Sequence, residues 1–398
     1  MNWSWFWRHI KRMNWVMTLL VMIMLVLGVL FIYSACYVSD DRPVRTLYLR
    51  QMVWIAAGMA AYFTLGVTDY RILRRWSWWF CGVSLILLVM VLLIGTVVYG
   101  AQRWLMIFGM GVQPSELAKL AAIVVVAGVL GRTGGDVASW KVFGLVLLIG
   151  GLFVLLILQQ PDLGTAIVFL PPIFMMMLVA GVPWQRLAAI ALLGVVGITV
   201  LLAAVFLPEK MGMPEETQVR FIRMVGLSPY HRDRLRVFVS PDSDPLGAGW
   251  NKRQSEIAVG SGGLHGKGFL KGTQNVLGFL PRSVAPTDFI FSVIAEEKGF
   301  IGSLFVLTGM GMILLLGLQM AVNAPDMFGR LICTGVMTLF FCHVFINIAM
   351  TVGVMPVTGL PLPLLSYGGS FTMVILSSLG IMQSVHVHSR RVSRLTLG

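Results

Sequence analysis

Ten stretches of nearly unbroken apolar residues leave few folds open to this chain. They fall at approximately 14–34, 51–67, 78–99, 115–131, 140–158, 163–182, 187–207, 299–322, 329–352 and 365–386. A helix rises 1.5 Å per residue, so runs of about 20 residues match the roughly 30 Å of hydrocarbon in a bilayer. In lipid, every backbone polar group must be satisfied internally, which only helices and closed barrels achieve. A barrel would show segments of about ten residues alternating apolar and polar, and these runs are continuous. The expected fold is therefore an all-α polytopic integral membrane protein of about ten transmembrane helices, one membrane domain over 1–398. With 57% hydrophobic and only 12% charged residues, the chain is unlike an ordinary soluble globule.

Orientation follows from basic residues in the short connections. Taking the N-terminal residues 1–13 as inside, that side carries Arg8, Lys11, Arg12, Arg71, Arg74, Arg75, Arg132, Lys141, Arg186, Arg330, Arg390, Arg391 and Arg394. The other side carries only Arg42, Arg45, Arg50 and Arg103. The imbalance predicts both termini, 1–13 and 387–398, in the cytoplasm, spans 1–7 over 14–207, spans 8–10 over 299–386, and an extracytoplasmic loop over 208–298. In a membrane protein the net charge of +13 reports orientation and anionic headgroups rather than nucleic acid. Cys81, Cys333 and Cys342 lie inside apolar runs and Cys36 just past the first, so no structural disulfide is expected. SAC ending at Cys36 is a poor lipidation site, because Tyr33 replaces the usual aliphatic residue and the preceding apolar run is too long for a signal peptide.

Chemistry concentrates in the long loop, above all between Asp242 and Glu297. Between 208 and 288 it holds eleven basic and eight acidic residues. Such groups suit a phosphate, which arginine binds in bidentate fashion. Asp244 precedes proline and then LGAG, where the backbone can crowd close, and Lys252, Arg253 and Gln254 follow. A carboxylate near cations stays ionised and can serve as a base; Asp233, Asp242, Glu256 and Asp288 are its rivals. GSGGLHGKG at 260–268 follows no strand of a βαβ unit, so it points to close backbone approach to a ligand or a tight re-entrant turn rather than a dinucleotide site. Within the membrane, Glu116 and Lys119 are three residues apart and share a helix face, which predicts either a packing lock or a polar pocket beside Arg103. Gln113, Pro114 and Ser115 supply the start of that helix, and Asp162 in QQPDLGTA is positioned to cap the sixth span. The stretch 353–370, with three prolines and repeated small residues, should be irregular and buried in protein.

Several long motifs in order, DPLGAGWNKRQSEIAVGSGGLHGKGFLKGTQ, TDFIFSVIAEEKGFIG, NIAMTVGVMPVTGLPLPLLSYGGS, RWLMIFGMGVQPSELAK and QQPDLGTA, resemble the signatures of the SEDS family, which includes RodA, FtsW and SpoVE. DPLGAG and GKGFLKGTQ resemble its elongation member more than its division member. The resemblance implies a peptidoglycan glycosyltransferase of the bacterial cytoplasmic membrane that polymerises lipid II during cell elongation. It also implies that Asp244 is the essential aspartate, that Glu116 and Lys119 are the family's fourth-span pair, and that Arg234 is its loop arginine. Arg103, Lys252, Gln254, Ser255, Lys267, Thr287 and Asp288 are further candidates for substrate binding or support. The expected partners are lipid II, a class B penicillin-binding transpeptidase and the membrane, with no nucleic acid. A divalent cation, Mg or Mn, is compatible with the chemistry. The chain departs from the family pattern at LPRSVAPTDF, which is longer and places Pro286 where a histidine is usual. Ala349 replaces a common glycine and Leu364 a common phenylalanine.

The competing readings are a lipid II flippase and a non-catalytic scaffold. Transporters place essential ionisable groups near the bilayer midplane, often with internal repeats. Here polar density lies in the outer loop, and a scaffold does not explain that loop.

Overall fold

The structure is a computed structural model and describes residues 3–39, 41–98, 101–107, 110–134, 136–160, 162–224, 229–240, 244 and 247–395. Asp242, Pro245, Leu246 and the Asp233 side chain lie outside the described residues. The short helix α1 (Trp3–Ile10) precedes α2 (Trp15–Cys36), α3 (Arg42–Arg45), α4 (Leu47–Val67) and α5 (Arg71–Ile94). Three strands follow: β1 (Thr96–Val98), β2 (Ala101–Ile107) and β3 (Met110–Val112). Then come α6 (Pro114–Leu130), α7 (Trp140–Gln159), α8 (Leu163–Ala180) and α9 (Trp184–Lys210). The long loop contributes α10 (Glu215–Met224), α11 (Pro229–Val239), α12 (Ala248–Ser261) and α13 (Thr273–Val276). The chain closes with α14 (Ile290–Val322), α15 (Met327–Thr351) and α16 (Gly369–Leu395).

Each expected apolar run falls mainly on a long helix, though the third, 78–99, runs on from α5 into β1 and the tenth, 365–386, begins four residues before α16. Among the described residues eight helices are long and apolar enough to cross a membrane: α2, α5, α7, α8, α9, α14, α15 and α16. The other two runs lie on α4 and α6. Two differences stand out. The connection carrying Arg103 is a small antiparallel sheet in the order β1-β2-β3 rather than a plain loop. The eighth long helix begins at Ile290, nine residues before the expected 299, so the end of the polar loop is helical.

Several ends are set by their own sequence. Asn14 caps α2 by accepting from the Met17 N–H at 3.0 Å, and Asp326 caps α15 by accepting from Gly329 at 2.7 Å. Each side chain satisfies one of the orphan N–H groups of a helix start. Residues 352–368 are non-helical, as their prolines require. All four cysteines are free and buried.

The core of the bundle is formed by α6, α15 and α16, the last two with 78% and 83% of their spanning windows buried in protein. By contrast α9 has only 6% of its window buried; Leu192, Leu193, Val195, Val196 and Ile198 on it are exposed, an apolar surface suited to lipid. The helix α16 packs along α4, where Gly58, Gly66 and Gly380 let the backbones approach.

The glycine run at 262–268 is explained by α14. That helix breaks at Gly299, with φ 64° and ψ −161°, a conformation in practice reserved for glycine. The exposed backbone groups are taken up by the loop: Phe300 donates to the Gly263 carbonyl at 2.9 Å, and Lys267 and Gly268 donate to the Glu296 and Glu297 carbonyls at 2.9 Å. The sequence points to a ligand or a tight re-entrant turn; the backbone that this run approaches is instead residues 296–301 of the same chain.

Candidate active site

Four segments converge outside the bundle. The first is α11, whose Arg234 donates to the Val357 carbonyl at 2.6 Å. The second is the turn before α14, which carries Thr287 and Asp288. The third is the irregular stretch 353–368. Gly359 there has φ 75°, and a Cβ on it would fall 3.3 Å from Asp288 Oδ2 and 3.5 Å from Arg234 Nη1. A guanidinium and a carboxylate thus share the surface of one glycine. Burial pushes the Asp288 carboxyl above the usual aspartate range, while Arg234, a hydrogen bond from Thr287 and Arg103 draw it back.

The fourth segment is the sheet connection and the start of α8. Arg103 Nη1 lies 3.8 Å from Asp162 Oδ1, and its Nε donates to the Gln160 carbonyl at 3.3 Å. Asp162 caps α8 by accepting from the Thr165 N–H at 3.1 Å and also accepts from Gln113 Nε2 at 3.2 Å. Gln113 therefore serves Asp162, with no side-chain cap on α6 itself.

Asp244 stands in the connector between α11 and α12. Its carboxylate folds over Gly247, the residue that opens α12; a Cβ there would sit 2.3 Å from Oδ2. A carboxylate at that end is favoured by the helix dipole. The connector is tied at both ends: Arg234 anchors α11, and Lys252 on α12 donates to the Phe238 carbonyl at 3.0 Å. Lys252 also lies 3.8 Å from Glu256 and over the Phe238 ring. Gln254 is buried on the same helix.

Other candidates lie elsewhere. Ser255 is fully buried and joins α12 to the core, bonding Ser292 at 2.7 Å and the Thr351 carbonyl at 2.8 Å. Lys267 binds Glu296 at 2.6 Å, past the C-terminal end of α12, a helix about 20 Å long by its rise, whereas Asp244 precedes its start. Glu116 and Lys119 pair at 2.9 Å in the bundle, both nearly inaccessible.

The family described as "Cell cycle protein", which takes in FtsW, RodA and SpoVE, matches residues 14–391. The chain belongs to this family. Over 93% of its length it is 38% identical to peptidoglycan glycosyltransferase MrdB of Escherichia coli (strain K12), covering 94% of that protein. It is 33% identical to stage V sporulation protein E of Bacillus subtilis (strain 168), over 94% of this chain and 97% of the relative. A solved structure described as "Structural coordination of polymerization and crosslinking by a peptidoglycan synthase complex" is similar with a TM-score of 0.74 at 31% identity, covering 94% of this chain and 98% of that one. The crystal structure of the rod shape determining protein RodA of Thermus thermophilus is similar with a TM-score of 0.65 at 29% identity, covering 94% and 97%.

Against the SEDS pattern, the departure at Pro286 proves to be a backbone site. The Pro286 carbonyl accepts from the Tyr367 N–H at 2.8 Å, and proline retains that acceptor. Leu364 has φ 65° and is buried. Two residues missed in the sequence complete the site's support. Asn347 donates from Nδ2 to the Asp288 carbonyl at 2.8 Å and the Leu360 carbonyl at 2.7 Å. His343 contacts Lys119 at 2.9 Å. Both lie in an apolar run whose sequence offers no partner for them; only the crossing of α6, α15 and the 353–368 stretch supplies one.

Proposed function

We propose that this multi-pass membrane protein is a peptidoglycan glycosyltransferase that polymerises lipid II into glycan strands during cell elongation, with Asp244 as general base. The observation that carries the reading is the tethering of the Asp244 connector between Arg234, docked beside Asp288, and Lys252. A carboxylate in a tethered connector and the guanidinium of the preceding helix thereby fall in one loop, in a chain whose residues 14–391 match the family. In the reaction the 4-hydroxyl of an acceptor sugar attacks the anomeric carbon of a donor whose leaving group is undecaprenyl pyrophosphate. Asp244 takes the hydroxyl proton as the new glycosidic bond forms, and the bond to pyrophosphate breaks with its electron pair on oxygen. Arg234 supplies positive charge to the departing phosphate. Lys252 ties α12 to the end of α11 through the Phe238 carbonyl, and Lys267 braces the loop on Glu296.

A divalent cation, Mg or Mn, would supply further neutralisation at the leaving group. Among the described residues no group of three or more His, Cys, Asp or Glu gathers to hold one, so no step is assigned to it. Loss of polymerisation in EDTA and recovery on adding Mn or Mg would support its participation. We place both termini in the cytoplasm and the Asp244 face outside, on the distribution of basic residues. The expected partner is a class B penicillin-binding transpeptidase, which crosslinks the strands. Exposed Phe300, Ile301, Leu304 and Phe305 on α14 offer its single span an apolar face.

The deciding experiment is polymerisation of purified lipid II by the detergent-solubilised protein, alone and with the transpeptidase. General-base help is worth about 10²- to 10⁴-fold, so Asp244→Asn should abolish most turnover while the protein stays folded. Near-normal polymer from a folded Asp244→Asn protein would sink the assignment. No polymer from the wild type, with movement of lipid II across vesicle bilayers, would make the protein a flippase.

A further inference from the structure

Three consecutive turns on one face of α15 carry His343, Asn347 and Thr351, spaced four apart and each with no accessible surface. Side chains at that spacing stack above one another along a helix. Each turn grips a different part of the molecule. Thr351 receives Ser255 of α12 on its carbonyl. Asn347 holds the Asp288 and Leu360 carbonyls. His343 is placed between the membrane-embedded ion pair and the outer stretch: its Nε2 is 2.9 Å from Lys119 Nζ, and its Nδ1 is 3.4 Å from the Pro361 carbonyl.

The chemistry fixes how these contacts are polarised. An ammonium only donates, so Nε2 must accept from Lys119. The neutral ring then carries its proton on Nδ1, which faces an acceptor that has no proton of its own. The chain of donors runs one way, from Lys119 through His343 to Pro361. Pro361 lies four residues from Val357, whose carbonyl binds Arg234, and two from Gly359, on which Arg234 and Asp288 meet.

We propose that His343 is a positioning residue: it transmits the placement of the Glu116–Lys119 pair to the 357–361 stretch and so fixes Arg234 and Asp288 in the geometry of catalysis. The inference rests on the proposed glycosyltransferase reading for its activity readout. The bland alternative is that the ring merely fills space against Phe371, whose centroid is 5.0 Å away.

The test compares His343→Leu, which fills the space without polar atoms, with His343→Gln, whose amide offers an acceptor and a donor. Polymerisation kinetics and melting temperature are read for both, and for Lys119→Met alone and combined with His343→Leu. Misplacement by about 1 Å, caused by a change remote from the chemistry, costs about 100-fold. His343→Leu should therefore lower kcat on the order of 10- to 100-fold with KM within about twofold, since the lost interaction acts in the transition state. His343→Gln should recover most of that loss. The double variant should lose no more than Lys119→Met alone, because residues acting through one another are non-additive. Full activity in His343→Leu, equal losses in the Leu and Gln variants, or multiplicative losses in the double variant would overturn the proposal. Should the wild type itself make no polymer, the glycosyltransferase reading fails on its own. The same cycle read in melting temperatures then decides the coupling: additive shifts refute it, and non-additive shifts sustain it.

Discussion

Lys119 has two polar partners, Glu116 and His343, each at 2.9 Å, and its side chain is 2% exposed. Removing one member of a buried pair leaves the other charge uncompensated, at a cost of about 3–5 kcal/mol. Lys119→Met should therefore lower the melting temperature sharply, and adding Glu116→Gln should restore much of it; a double variant no more stable than the single would contradict a buried ion pair. Asp288 gives a pH prediction of the opposite kind. Its carboxyl is pushed above the ordinary range, so the folded state binds its proton more tightly than the unfolded chain does. Stability from this group is full below the unfolded value of about 4 and is lost as pH rises through the raised folded value. Arg234 opposes the rise, so Arg234→Gln should widen that window, and its melting temperature should fall more steeply with pH above about 4 than the wild type's. At this scale the sequence was partly legible. The three-residue spacing of Glu116 and Lys119 announced a pair, and Asp162 announced a cap. His343 did not announce itself, because its partner Lys119 is 224 residues away and nothing in its own helix pairs with it.

The helices were legible because each apolar run is long enough to exclude strands. Their ends were less so, and α14 shows why. SVIAEE contains two carboxylates, which reads as loop; in the structure Glu296 is neutralised by Lys267, and Glu297 accepts from Ser34 of α2. Tertiary partners make the polar turn helical. The break at Gly299 is where this arrangement is most exposed to mutation. A Cβ there would fall 2.3 Å from the Gly266 nitrogen, and the backbone conformation itself costs other residues about 1–3 kcal/mol. Gly299→Ala should lower the melting temperature and speed tryptic cleavage at Lys267 and Lys271; an unchanged digestion pattern would mean the loop is held by other means. Lys267→Ala should also destabilise, yet leave KM for lipid II within about twofold, since its ammonium is engaged by Glu296 at the distant end of α12. A large rise in KM would return Lys267 to the substrate site.

For the molecule as a whole, the expected sidedness can be read with single cysteines, because Cys36, Cys81, Cys333 and Cys342 are all buried. Lys271 and Asp136 are exposed and lie on opposite expected sides. A membrane-impermeant maleimide should label Lys271→Cys in intact cells and Asp136→Cys only after permeabilisation; the reverse pattern would invert the orientation. The segment that brings Asp288 to Arg234 has one further property. Three neighbours grip it by its carbonyls: Tyr367 on Pro286, Ser366 on Thr287 and Asn347 on Asp288. Every amino acid offers that same oxygen. The grip at 286 therefore asks for no particular side chain, and proline serves it as any residue would. What a substitution in this segment can disturb is the side chain of Asp288, whose carboxylate shares Gly359 with Arg234.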